Sequence, residues 1–219
     1  MRRASAATVL LTGFEPFGGE ETNPSWEAVR VLQGARIGGH RIEARCLPVV
    51  FGEANARLRR AIAEVKPKLV VCVGQAGGRA QLSLERIAIN LDDARRPDNA
   101  GQGPVDAAIV AGGPAAYFAT LPVKRLRAEL QRAGIPCEVS QSAGTYVCNH
   151  VFYGLMHRLQ KLRGVRGGFV HIPYSPAQAA RHAGAASLPT ETVTAALRVI
   201  VRTSLKHADD LPIALDAQH

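Results

Sequence analysis

Aromatic residues are scarce in this chain. Phe, Trp and Tyr make up 5 % of its 219 residues, which disfavours a stacking platform for single-stranded nucleic acid. Cysteine is sparse too. Cys46, Cys72, Cys137 and Cys148 form no C-x-x-C pair, and four thiols in a chain of this length are no disulfide framework. No histidine cluster has zinc-ligand spacing, so the sequence calls for no metal. Free thiols point to a reducing compartment, and the expected location is cytoplasmic. No run approaches the roughly 18 apolar residues of a membrane span. The apolar stretch after Met1-Arg2-Arg3 ends at Gly13, too short for a signal peptide. No membrane partner is expected.

What is present describes an ordinary folded protein. Hydrophobic residues make up 47 % and charged residues 21 %, which excludes a mainly disordered, collagen-like or coiled-coil chain. A chain of this length buries about 70 % of its unfolded surface and needs no staples. The formal charge is +9. Its densest basic groups, Arg57-Leu58-Arg59-Arg60 and the run from His157 to Arg163, read as solvated helix faces. A polyanion-binding protein is therefore the weaker reading, and no nucleic-acid partner is expected.

Strand-like and helix-like patterns alternate along the chain. Thr8 to Leu11 is a short apolar run ended by Gly13. Asn23 and Pro24 predict the cap and first residue of a helix ending at Gly34. Ile42 to Val50 alternates as a strand. Glu53 to Val65 has a helical face of Ala54, Leu58, Ile62 and Val65, stopped by Pro67. Leu69 to Val73 is apolar throughout, as strands buried on both faces are. A polar stretch from Gly74 to Pro114 holds one strand candidate, Leu82 to Leu91, followed by loop chemistry from Asp92 to Asn99. A helix opens at Pro122 and closes at Gly134. A strand at 137–142, a helix at 147–162, a buried strand at 168–172 and a last helix at 189–206 follow. The predicted fold is a single three-layer α/β/α domain over 1–219 with a central, mostly parallel sheet. An antiparallel edge hairpin is expected around 82–91, and a flexible leader over 1–7.

Sites in such folds lie at the carboxyl ends of strands. Four polar segments are predicted to converge there: Thr12–Gly19, Gln75–Gly78, Gly144–His150 and His171–Ser175. Cys148 stands out because it opens a predicted helix, whose positive amino end favours thiolate over thiol. The other three cysteines sit in apolar strand patterns, where cysteine acts as a small hydrophobe. His171 ends a strand, 23 residues after Cys148, and is the candidate base. His150 is the rival, but it follows Cys148 by two positions on one helix, so the side chains diverge. A third group should fix the imidazole tautomer. Glu15, Glu85, Asp92 and Asp93 are the candidate carboxylates. Two Gly-rich stretches, 12–19 and 74–78, lack the endings of phosphate- or dinucleotide-binding loops.

These residues fall in longer motifs: Leu10-Leu11-Thr12-Gly13-Phe14-Glu15-Pro16-Phe17-Gly18-Gly19 with Asn23-Pro24-Ser25-Trp26, Val73 to Arg79, Glu85 to Asn90 with Asp93-Ala94-Arg95 and Pro97-Asp98-Asn99, Gly144 to His150, and Gly168 to Tyr174. Together they resemble the pyroglutamyl peptidase type I, or pyrrolidone-carboxylate peptidase, family, in family order over about residues 8–208. The resemblance implies a cysteine peptidase with Glu85, Cys148 and His171 as its triad. It implies that Phe14 and Phe17 line the slot for the pyrrolidone ring, with Tyr146 and Val147 beside them. Gln75 is implied to contact the lactam through its backbone, and Arg95 to assist near the oxyanion. It also implies a cytoplasmic enzyme without metal or cofactor that forms a dimer or tetramer and acts on N-terminally pyroglutamylated peptides. Two departures stand out: Arg96 where the family often carries an apolar residue, and Tyr146 for a common Phe. A glutaminase-type amidohydrolase with the same triad is the alternative enzyme.

Overall fold

The computed structural model describes residues 7–214. The expected leader falls almost wholly outside the described residues. Strands β1 (Thr8–Phe14), β2 (Arg36–Ile37), β3 (His40–Leu47), β4 (Leu69–Gln75), β5 (Leu82–Glu85), β6 (Ile87–Ile89), β7 (Ala116–Phe118), β8 (Cys137–Ser140) and β9 (Arg166–Ile172) alternate with helices. The helices are α1 (Pro24–Arg30), α2 (Glu53–Val65), α3 (Val123–Arg132), α4 (Val147–Leu159), α5 (Pro176–Ala179) and α6 (Thr190–Lys206). Seven strands form one sheet in the order β2-β3-β1-β4-β9-β5-β8. The run β3-β1-β4-β9 is parallel throughout.

Period-two alternation sorts each central strand between two layers. Val9 and Leu11, Val71 and Val73, and Val170 and Ile172 pack with α1, α3 and α6. Leu10, Val70, Cys72 and Phe169 face the other way, against α2 and α4. The three-layer expectation is met, and β4 is buried at every residue, as an interior parallel strand must be.

The antiparallel pairing expected near 82–91 is present but divided. β5 runs antiparallel to β9, yet it lies inside the sheet because β8 covers its other side. After Arg86 the chain leaves the sheet, and β6 pairs antiparallel with β7 in a separate two-stranded sheet. Strand β3 ends three residues before the predicted Val50. Helix α1 stops at Arg30, four residues before Gly34; turn hydrogen bonds from Leu32, Gln33 and Ala35 fill the interval. Two short strands had no clear sequence signal, β2 and β7, and the short helix α5 was not predicted. No helix among the described residues is long and apolar enough to cross a membrane.

Candidate active site

All four predicted segments meet at one cavity of about 560 Å³ beyond the carboxyl ends of β1, β4 and β9. Its lining includes Phe14, Phe17, Gln75, Arg95, Tyr146, Val147, Cys148 and His171. Alternation along the strands explains the convergence. Gly74 shares a face with Val70 and Cys72, and His171 shares one with Phe169, so both look toward α4. Glu85 stands opposite Phe169 in the β5–β9 ladder, on the same side. The amino end of α4 lies over these positions and carries Cys148.

Gly74 is essential to that approach. It is the register partner of His171, and a Cβ on it would lie 2.8 Å from Cys148 Sγ and 2.8 Å from Phe169 Cζ. The sulfur thus rests against the backbone of β4, beside the strand that carries the imidazole. His171 is an interior-strand residue, flanked by β4 and β5, rather than one at a sheet edge.

Glu85 is wholly buried. Its Oε1 accepts hydrogen bonds from His171 Nδ1 (2.7 Å) and from Arg79 Nη1 (2.7 Å), while Oε2 has no partner among the described residues. A carboxylate so placed is costly unless paired, and Arg79 supplies the charge. Arg79 also donates to the Ser142 carbonyl (3.0 Å), tying the pair to the loop before α4. The Nδ1 contact leaves His171 Nε2 to act as acceptor toward the cavity. Burial pushes the His171 pKa below its ordinary 6.5, and Glu85 opposes that shift. The imidazole is therefore neutral near pH 7.

The expected acidity of Cys148 is not what the resting site shows. Burial first, and the Glu85 charge second, push its thiol up to about 12, although Arg79 and Arg96 pull the other way. Loss of water around the sulfur is the largest of these influences, and it disfavours the thiolate. Thiol and imidazole are thus both neutral before substrate arrives. Cys46 and Cys137 are pushed up to about 11, and Cys72 to about 12, chiefly by burial.

The other candidates have structural partners. His150 Nε2 accepts from the Gly52 amide (3.0 Å), and its Nδ1 faces Asp92 Oδ2 (2.7 Å). Both ring nitrogens are engaged, away from Cys148. Glu15 Oε1 accepts from the Val49 amide (3.0 Å) and from Asn99 Nδ2 (2.8 Å). Asp93 lines the cavity, and its backbone is clasped to Thr145: Asp93 N–H donates to the Thr145 carbonyl (3.0 Å) and Thr145 Oγ1 to the Asp93 carbonyl (2.7 Å).

The walls are partly aromatic. Phe14 is buried against Phe169, while Phe17 and Tyr146 stand 6.5 Å apart at the rim. Gln75 is steadied from behind by Gln178 Nε2, which donates to its Oε1 (3.2 Å). Gln178 belongs to α5, and Ser175-x-x-Gln178 is a capping box legible in the sequence. Tyr174, Asn23 and Val49 also line the cavity. Tyr174 was within reach of sequence reasoning through its place after His171-Ile172-Pro173, whereas Val49 carried no signal. Among the described residues no side chain caps α4 at Tyr146, which leaves first-turn amides for an oxygen in the cavity.

Comparison with known proteins agrees with this geometry. Residues 7–207 match the family described as pyroglutamyl peptidase. The pyrrolidone-carboxylate peptidase of Klebsiella pneumoniae strain 342 is 57 % identical over 213 residues, 97 % of this chain and 100 % of that one. That of Cupriavidus necator is 60 % identical over 206 residues, covering 93 % and 95 %. The crystal structure of pyroglutamyl peptidase I from Bacillus amyloliquefaciens superimposes with a TM-score of 0.92 at 50 % identity, covering 95 % of this chain and 100 % of that one. With sequence and backbone matched over nearly their whole lengths, this chain belongs to the pyroglutamyl peptidase family.

Proposed function

We propose that the whole chain acts as one peptidase domain, a cysteine peptidase that removes an N-terminal pyroglutamyl residue from peptides. The observation that carries the reading is the buried His171–Glu85 pair, whose imidazole lines the same partly aromatic cavity as the Cys148 thiol. Phe14 and Phe17 offer a flat apolar slot suited to a small neutral ring. The ring's N–H and C=O need partners there, since a buried unpaired polar group costs about 1–3 kcal/mol. Gln75 backbone groups, held by the β4–β9 ladder, stand at that wall, and Tyr146 and Val147 complete it.

Cys148 Sγ attacks the carbonyl carbon that follows the ring while its proton passes to His171 Nε2. Because thiol and imidazole start neutral, this transfer accompanies attack rather than preceding it. First-turn amides of α4, with Arg95 at the rim, stabilise the oxyanion; one such donor is worth about 3 kcal/mol. His171 returns the proton to the departing amine as the C–N bond breaks. Water, deprotonated by His171, then cleaves the thioester and frees pyroglutamate. Glu85 holds the Nδ1–H tautomer and stabilises the transient imidazolium.

The test is hydrolysis of a pyroglutamyl aminocoumarin reporter, with and without iodoacetamide, by the native chain and Cys148→Ser. Alkylation and the substitution are each expected to abolish turnover while the fold is retained. Substantial hydrolysis by Cys148→Ser removes the sulfur as nucleophile, and release of ammonia from free glutamine instead favours a glutaminase. The same reading extends to the cytoplasm and to a dimer or tetramer, both resting on family resemblance; light scattering on the eluted protein measures the latter.

A further inference from the structure

The mouth of the cavity carries unbalanced charge. Arg95 and Arg96 are exposed residues of its lining, and neither joins an ion pair among the described residues. The acids nearby are mostly committed elsewhere. Asp98 Oδ1 accepts from the amides of Ala100 (2.8 Å) and Gln102 (2.9 Å), and its Oδ2 from the amide of Phe51 (2.8 Å). Glu15 is held by Val49 and Asn99 as described. Asp93 remains as the acidic residue of the lining, so two guanidinium groups face one carboxylate.

Arg96 is also held in place. Its guanidinium carbon lies 4.8 Å from the centre of the Phe17 ring and 5.6 Å from that of Tyr146. Tyr146 Oη in turn donates to the Pro97 carbonyl (3.0 Å). Such stacking fixes the planar group while leaving its N–H donors free for a carboxylate. Its charge also reaches the sulfur, being among those that draw the Cys148 thiol down.

A ring seated between Phe14 and Phe17 leaves the next residue to exit past this rim. We infer that Arg96 is a specificity-determining residue that favours substrates bearing a carboxylate on the residue directly after the pyroglutamyl ring. The inference rests on the pyroglutamyl reading of the site. The carboxylate has two sources, an acidic side chain or the chain end of a dipeptide, and both present the same group to the guanidinium.

The experiment compares kcat/KM for four dipeptides by chromatographic release of pyroglutamate. Pyroglutamyl-glutamate amide presents the side chain, and free-acid pyroglutamyl-alanine presents the chain end. Pyroglutamyl-alanine amide is the neutral reference and pyroglutamyl-lysine amide the repelled case. At low salt the native chain is expected to prefer at least one of the two acids over the reference by about fivefold, the upper range for a solvent-exposed ion pair. The preference should shrink as salt screens the pair, vanish in Arg96→Leu and survive in Arg96→Lys. Ratios between substrates cancel any change in thiol reactivity, which alters all four rates together. Equal rates for acidic and neutral dipeptides, or a preference that persists in Arg96→Leu, overturn the inference. Failure to cleave even the neutral amide removes the pyroglutamyl reading, and the inference falls with it.

Discussion

Replacing Glu85 by Gln isolates the electrostatic part of the proposed machinery. Gln keeps the shape and one acceptor oxygen but removes the charge that faces His171 Nδ1 at 2.7 Å. When His171 takes the thiol proton, an imidazolium forms with its charge about 4 Å from the carboxylate centre, an interaction of about 4 kcal/mol at an effective dielectric constant near 20. Arg79 shares the same oxygen and stays behind in the variant, so its repulsion of the imidazolium is no longer offset. At about 1.4 kcal/mol per tenfold, kcat is expected to fall roughly a thousandfold. KM should stay near the parent value, because Glu85 is not part of the cavity lining. Initial rates with the aminocoumarin reporter measure both constants, and a melting curve checks that the variant is folded at the assay temperature. A kcat within about tenfold of the parent, or a loss confined to KM, refutes the assignment, since an interaction made only in the transition state must appear in kcat.

The same geometry leads to three further outcomes. Because burial holds the His171 pKa below 6.5, kcat/KM should stay level at neutral pH and fall only as acid protonates the imidazole below that value. The thiol at about 12 should add no basic limb through pH ~9. The stability linkage has a definite sign: the unfolded chain takes up this proton first, so the His171 contribution is present above pH 6.5 and is lost as pH falls through the lower folded-state value. Melting temperatures between about pH 5 and 8 test it, and a maximum in activity well below 6.5 contradicts it. Gly74→Ala places a methyl 2.8 Å from Cys148 Sγ and Phe169 Cζ; overpacking of about 1–3 kcal/mol and more than tenfold loss of turnover are expected. An unchanged melting point with full activity would show that the sulfur does not rest on β4.

Much of this architecture was readable because single residues dominate local choices. Glu53–Val65 matches its predicted bounds: Pro67 cannot continue a helix, and Lys66 closes it in the left-handed conformation. β4 was legible from five consecutive apolar residues. The break at Arg86 was not, since nothing in Leu82 to Leu91 announces that one half pairs with β9 and the other with β7. That choice depends on partners far along the chain. Short β7 failed for a similar reason: Ala116–Phe118 is three residues, mostly exposed. In the site, motif and strand-end position located Cys148 and His171. Position could not choose among four carboxylates, because the selection is made by the β5–β9 register. Nor could it foresee the burial that raises the Cys148 thiol, since the approach of the sulfur to Gly74 is a tertiary fact.

The double clasp between Asp93 and Thr145 has a mechanical consequence. It joins the arginine-bearing rim to the turn that launches α4, so the two cannot separate without surrendering both hydrogen bonds. Any displacement of the rim would therefore also strain the first turn of α4.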